Sequence, residues 1–166
     1  MRKYSIFTVA AAVLCTCFVA GHLTIPVSVA QEKQPAEAQV RINGHELSPE
    51  IVRELEVLYG VRPVPGDYWY DAMSGLYGAM GQQAMGMMMP GHLFGEMPEN
   101  ASGGSTGVFM NGRNLTGTEV NYINILMGTQ AMPGRYWLDA LGNCGIEGLP
   151  IPLVNFYEVS QRPLVP

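Results

Sequence analysis

Residues 40–72 read VRINGHELSPEIVRELEVLYGVRPVPGDYWYDA, and residues 108–140 read VFMNGRNLTGTEVNYINILMGTQAMPGRYWLDA. The two stretches align without a gap at an offset of 68 and share thirteen identities in 33 positions. Average residue usage gives roughly two by chance. Val40, Asn43, Gly44, Leu47, Val52, Leu58, Gly60, Pro65, Gly66, Tyr68, Trp69, Asp71 and Ala72 recur as Val108, Asn111, Gly112, Leu115, Val120, Leu126, Gly128, Pro133, Gly134, Tyr136, Trp137, Asp139 and Ala140. A chain with this self-similarity is two copies of one supersecondary unit, and the unit is what has to be read.

Each copy opens on a short apolar stretch ending in Asn-Gly, the strongest local signal for a hairpin turn because both residues tolerate positive φ. A helix follows. In the first copy Ser48 is the N-cap, Pro49 takes the first helical position and Leu47 staples to Val52. In the second, Thr116 with Glu119 forms a capping box and Leu115 staples to Val120. Ile51, Val52, Leu55, Leu58 and Tyr59 share one helical face. Gly60 and Gly128 stop the two helices at matched positions. A Pro-Gly entry then leads into a second hairpin, with strands at Tyr68–Asp71 and Tyr136–Asp139 and return strands from about Leu76 and Cys144. The class is α+β: two tandem ββαββ-like repeats packed with pseudo-twofold symmetry, their strands forming shared antiparallel sheet.

Around the repeats the chain divides as follows. Residues 1–30 read as a signal peptide: Arg2 and Lys3 precede an uncharged, mostly apolar run, and Ser28-Val29-Ala30 offers a cleavage site. The alternatives are an uncleaved anchor, which Gly21, His22, Thr24 and Pro26 interrupt, and a lipid-modified Cys17. Residues 31–39 form a polar, disordered spacer. Repeat 1 spans 40–97, a flexible Gly/Ser-rich linker spans 98–107, repeat 2 spans 108–157 and a tail spans 158–166. Cleavage after Ala30 removes Arg2 and Lys3, taking the formal net charge from −5 to −7. So acidic a chain lacks the basic footprint for nucleic acid, and no partner membrane is expected once the leader is gone. Of the three cysteines only Cys144 stays, as a buried small hydrophobe or as a link in a homodimer.

Gly134-Arg135-Tyr136-Trp137-Leu138-Asp139 and Gly142-Asn143-Cys144-Gly145-Ile146-Glu147-Gly148 carry a likeness to known sequences. With them the chain resembles a group of uncharacterised exported bacterial proteins built on Gly-Arg-Tyr-Trp-x-Asp…Gly-x-Glu-Gly hairpins. The resemblance implies export and a shared fold, and no activity. The first copy departs from the pattern at Asp67, which stands where Arg would, and at Ala79, which stands where Glu would.

Two constellations compete as the site. Strand alternation puts Trp69 with Asp71, and Trp137 with Asp139, on one face each, so the four are candidates for a symmetric aromatic-acidic groove. The structural alternative makes each Trp core and each Asp the cap of the following turn. The second constellation is Met85, Met87, Met88, Met89 and His92, soft ligands suited to copper, or else gap-filling hydrophobes. Catalytic residues are not found: His45 aligns with Arg113 in a surface turn, and no nucleophile elbow, zinc motif or phosphate loop is present. The expectation is a non-enzymatic, cofactor-free binding module, periplasmic or extracellular, engaging a protein or cell-envelope polymer; the alternative is a copper-binding protein.

Overall fold

The computed structural model describes residues 39–162. The expected leader with Cys17 and its cleavage site, spacer residues 31–38 and tail residues 163–166 lie outside the described residues. Among the described residues no helix is long and apolar enough to cross a membrane.

Repeat 1 runs β1 (Val40–Ile42), β2 (His45–Glu46), α1 (Pro49–Tyr59), β3 (Gly66–Tyr70), β4 (Leu76–Ala79) and β5 (Gly86–Met87). Repeat 2 runs β6 (Val108–Met110), β7 (Arg113–Asn114), α2 (Gly117–Met127), β8 (Gly134–Leu138), β9 (Asn143–Ile146) and β10 (Pro152–Asn155), followed by α3 (Phe156–Ser160). The architecture is α+β, with one five-stranded sheet per repeat, ordered β2-β1-β3-β4-β5 and β7-β6-β8-β9-β10. Each repeat thus adds a third strand to its second hairpin.

The hairpins are antiparallel, as the turn chemistry demands. Asn43 (φ 52°) and Gly44 (φ 81°), like Asn111 (φ 49°) and Gly112 (φ 86°), hold the two positive-φ positions of their turns. The pairs β1–β3 and β6–β8 are parallel. The chain reverses once at the Asn-Gly turn and once through the helix, so β3 arrives in the direction of β1, the crossover geometry that parallel neighbours need. The two sheets are separate, which corrects the shared sheet expected. Strands β2, β5 and β7 end the sheets and are two residues long; edges that short offer little ladder to a neighbour.

The helix signals hold. Ser48 Oγ accepts from the Ile51 N–H, Thr116 and Glu119 close a full capping box, and Gly60 and Gly128 adopt the left-handed conformation at the C-caps. Helix α1 buries Leu55 against Val40, Ile42, Leu47 and Tyr70, with Val52 and Tyr59 beside it; Ile51 and Leu58 stay exposed, so the buried stripe is narrower than the apolar one. Helix α2 has no buried side chain, and Val120 and Ile123 only half-cover Val108, Met110, Leu115 and Cys144. Cys144 is buried, and burial pushes its thiol up to about 11. That is the small-hydrophobe role.

Residues 98–107 are an ordered strap, correcting the flexible linker expected from their composition. Ala101 and Ser102 are buried. The Ala101 carbonyl accepts from the Gly81 N–H in repeat 1, while the Asn114 N–H in repeat 2 donates to the Glu99 carbonyl. Ser102 Oγ and Thr106 Oγ1 donate to the carbonyls of Asn114 and Leu115. A Cβ at Gly104 would collide with the Leu115 carbonyl, so the small residues here serve close backbone approach rather than freedom. The structure also shifts one repeat equivalence. The Met80 N–H donates to the Asp67 carbonyl as the Glu147 N–H does to the Arg135 carbonyl, so Met80, not Ala79, stands in the place of Glu147.

Candidate functional site

The two tryptophans are built alike. Trp69 on β3 faces Gly78 on β4, and Trp137 on β8 faces Gly145 on β9. A Cβ on either glycine would lie 2.8 Å or 2.6 Å from the indole ring, so each ring lies over bare backbone. Each indole N–H donates to a carbonyl of the following loop, Gln82 at 2.9 Å and Leu149 at 2.7 Å.

Their surroundings differ. Trp69 is 0% exposed, and the Arg113 guanidinium lies 4.1 Å above its ring centre, a desolvated cation–π contact. Arg113 is itself buried and donates to both Glu119 carboxylate oxygens, at 2.9 and 3.0 Å. Burial lowers the pKa of Arg113, while the adjacent Glu119 favours its charged form. Glu119 also accepts from the Thr116 backbone N–H and hydroxyl and, across the repeats, from the Ala84 N–H at 3.1 Å. One acid therefore caps α2, pairs Arg113 and ties the repeats together.

The aspartates cap turns, as the structural alternative has it. Asp71 accepts from the Met73 N–H and the Ser74 hydroxyl, and from the Asn111 amide of repeat 2. Asp139 accepts from the N–H groups of Leu141 and Asn143 and from the Asn143 amide. Burial would raise its pKa, yet the hydrogen bonds from Asn143 and Leu141 leave it below the ordinary 3.8.

The symmetric groove of Trp69, Asp71, Trp137 and Asp139 does not form. Trp69 is sealed by Arg113, and Asp139 turns inward to its own loop. Trp137 is only half-buried. It lines a groove of about 940 Å³ together with Asp71, Met73, Glu96, Arg135 and Glu147. So one Trp and one Asp of the four share a groove, and they come from different repeats. Arg135 pairs with Glu147 at 2.6 Å and Glu99 at 3.6 Å and lies 5.0 Å over Phe109; Glu147 is the main cause raising its pKa.

The contacts between repeats run one way. Arg113, Glu119 and Asn111 reach from repeat 2 into repeat 1, and their counterparts His45, Ile51 and Asn43 do not reach back. The Asn43 amide donates to Tyr70 and Gly95 of its own repeat, and His45 is exposed beside Gly95. A twofold would exchange these contacts; a head-to-tail relation does not. Arg113 escaped the sequence reading because its aligned partner His45 is a surface residue. The available signal was Glu119, whose spacing marks the capping box that orients it.

The copper set is divided as well. Met88 packs against the core of repeat 1, and His92 is held at 2.6 Å by the Tyr59 hydroxyl and stacked on Phe94. Met85, Met87 and Met89 remain exposed. Alternation about β5 sends Met88 to the opposite face from its neighbours, so the methionines are divided between core and surface. Among the described residues no group of three His, Cys, Asp or Glu is placed to hold a metal ion.

No family model matches the chain, and no solved structure does. Two curated proteins of Arabidopsis thaliana match it. The extra-large guanine nucleotide-binding protein 1 is 36% identical over 118 residues, 69% of this chain. The extra-large guanine nucleotide-binding protein 2 is 30% identical over 99 residues, 58% of this chain. The matches span only 13% and 11% of the length of those proteins. They overturn the expected export to the periplasm or beyond the cell: the similar sequence is part of plant proteins named for guanine nucleotide binding. What the chain is similar to is a segment within much longer guanine nucleotide-binding proteins.

Proposed function

We propose that this chain is a non-enzymatic interaction module that takes a polypeptide in the Trp137 groove. One observation carries the reading. The scaffold that buries Trp69 under repeat 2 is repeated around Trp137, where its outer surface stays open on a groove of about 940 Å³. A half-buried aromatic in a concave surface with a polar rim is the usual anchor of a protein interface. The two described histidines lie outside that groove: His45 is at a surface turn and His92 is bonded to Tyr59. Nucleotide binding, which the relatives' names state, is not transferred to this chain, because its sequence has no Gly-x-x-x-x-Gly-Lys-Ser/Thr loop and no lysine after Lys33.

The test is selection from a random peptide display library on the full chain, followed by affinity measurement on Trp137→Ala and on Val57→Ala, an exposed control on α1. Enriched peptides should bind Trp137→Ala about tenfold or more weakly and Val57→Ala unchanged. No enrichment, or binding indifferent to Trp137→Ala in a variant with unaltered circular dichroism, rejects the reading.

A further inference from the structure

We propose that the ligand of the Trp137 groove is a protein segment presenting an arginine, and that the guanidinium stacks on the Trp137 ring as Arg113 stacks on Trp69. The inference rests on the groove being an interaction surface and adds what fills it. The internal contact supplies the template. In repeat 1 the indole, fixed over Gly78 and by its bond to Gln82, is completed by an arginine 4.1 Å from its centre that projects from an Asn-Gly-Arg turn. In repeat 2 the indole is fixed the same way, over Gly145 and by its bond to Leu149. Among the described residues no cation lies over it. The nearest one on its strand, Arg135, is turned to Phe109, Glu147 and Glu99.

Charge agrees. Asp71, Glu96 and Glu147 line the groove against the single guanidinium of Arg135, a field that favours a cationic side chain. A second copy of this chain is a poor occupant. Its own Arg113 is already buried against Trp69, and the front of its repeat 1 offers His45 and Ile51 where repeat 2 offers Arg113 and Glu119. The occupant is therefore a different protein. Arginine suits the position better than lysine, because a planar, weakly hydrated guanidinium stacks on an aromatic face.

The probe is the nonapeptide NGRNLTGTE, the sequence of residues 111–119, titrated into the 15N-labelled full chain while its two indole N–H resonances are followed. Trp137→Phe assigns them. The Trp137 resonance should shift saturably and the Trp69 resonance should stay in place. The peptide with Arg113→Gln should bind about tenfold more weakly, with Arg113→Lys between the two. No shift at Trp137, or equal shifts from the Arg and Gln peptides, overturns the proposal. The display selection separates the two ideas. Enriched peptides that need Trp137 and lack arginine keep the interaction module and overturn the arginine; an empty selection rejects both.

Discussion

Trp69 and Trp137 occupy the same position of the same strand, lie over the same glycine and donate to the same loop carbonyl. Yet Trp69 is the most deeply buried large side chain of repeat 1, while Trp137 is part of the surface. Nothing within a repeat makes the difference. It comes from what is stacked outside: repeat 2 sets Arg113, Glu119 and Asn111 against repeat 1, and repeat 2 has no such cover among the described residues. Duplication copies a scaffold with its hydrogen bonds and close approaches. Whether the copied aromatic is core or contact is settled by its neighbour.

The comparison breaks most readily at the tryptophans themselves. Trp69→Ala should cost about 3–5 kcal/mol, because it leaves a cavity beneath Arg113 as well as lost burial. Trp137→Ala should cost about 1 kcal/mol, the ordinary effect of a partly exposed position. Urea denaturation of both variants measures the gap, and equal losses would mean that the surroundings of the two rings do not differ. The glycines give a smaller and sharper version. Gly78→Ala places a Cβ against a sealed indole and the Gln83 carbonyl and should cost about 1–3 kcal/mol. Gly145→Ala meets the Ile151 carbonyl in the same way, but its indole has open space on the outer side, so it should cost less and move the Trp137 indole resonance. The smallest effect is at Asp139. The pKa of Asp139 is depressed in the folded chain, so its carboxylate stabilises the fold above the ordinary 3.8 and this contribution is lost as pH falls below it. Thermal melts of the wild type and Asp139→Asn should therefore differ near neutral pH and converge toward about pH 2. A difference that stays constant with pH would assign the effect to geometry rather than charge.

Much of the fold was legible because its determinants are local. Asn43-Gly44 and Asn111-Gly112 set their turns through their own φ preferences. Ser48, Thr116 and Glu119 cap helices within one turn of themselves, and Gly60 and Gly128 end them without reference to anything distant. Both strands, expected to run through Asp71 and Asp139, end one residue earlier, at Tyr70 and Leu138, and leave the aspartates to the turns. The reading failed wherever the decisive partner was remote. The Gly/Ser composition of residues 98–107 suggested freedom, but backbone groups of Gly81, Asn114 and Leu115 hold the segment in place. Met85, Met87, Met88, Met89 and His92 are neighbours in sequence, but the pleat divides the methionines between core and surface, and Tyr59 and Phe94 engage His92.

By itself, then, the sequence determined a duplicated α+β unit, with its turns, caps, helices and hairpins, because those depend on dihedral preferences and on hydrogen bonds spanning a few residues. Only the tertiary structure decided that β1 and β3 run parallel, that the sheets stay separate, that the repeats meet head to tail and that Trp137 rather than Trp69 faces the groove. Those outcomes depend on which surface is left uncovered once one repeat has packed on the other, and burial is a property of the assembled chain, not of the residue.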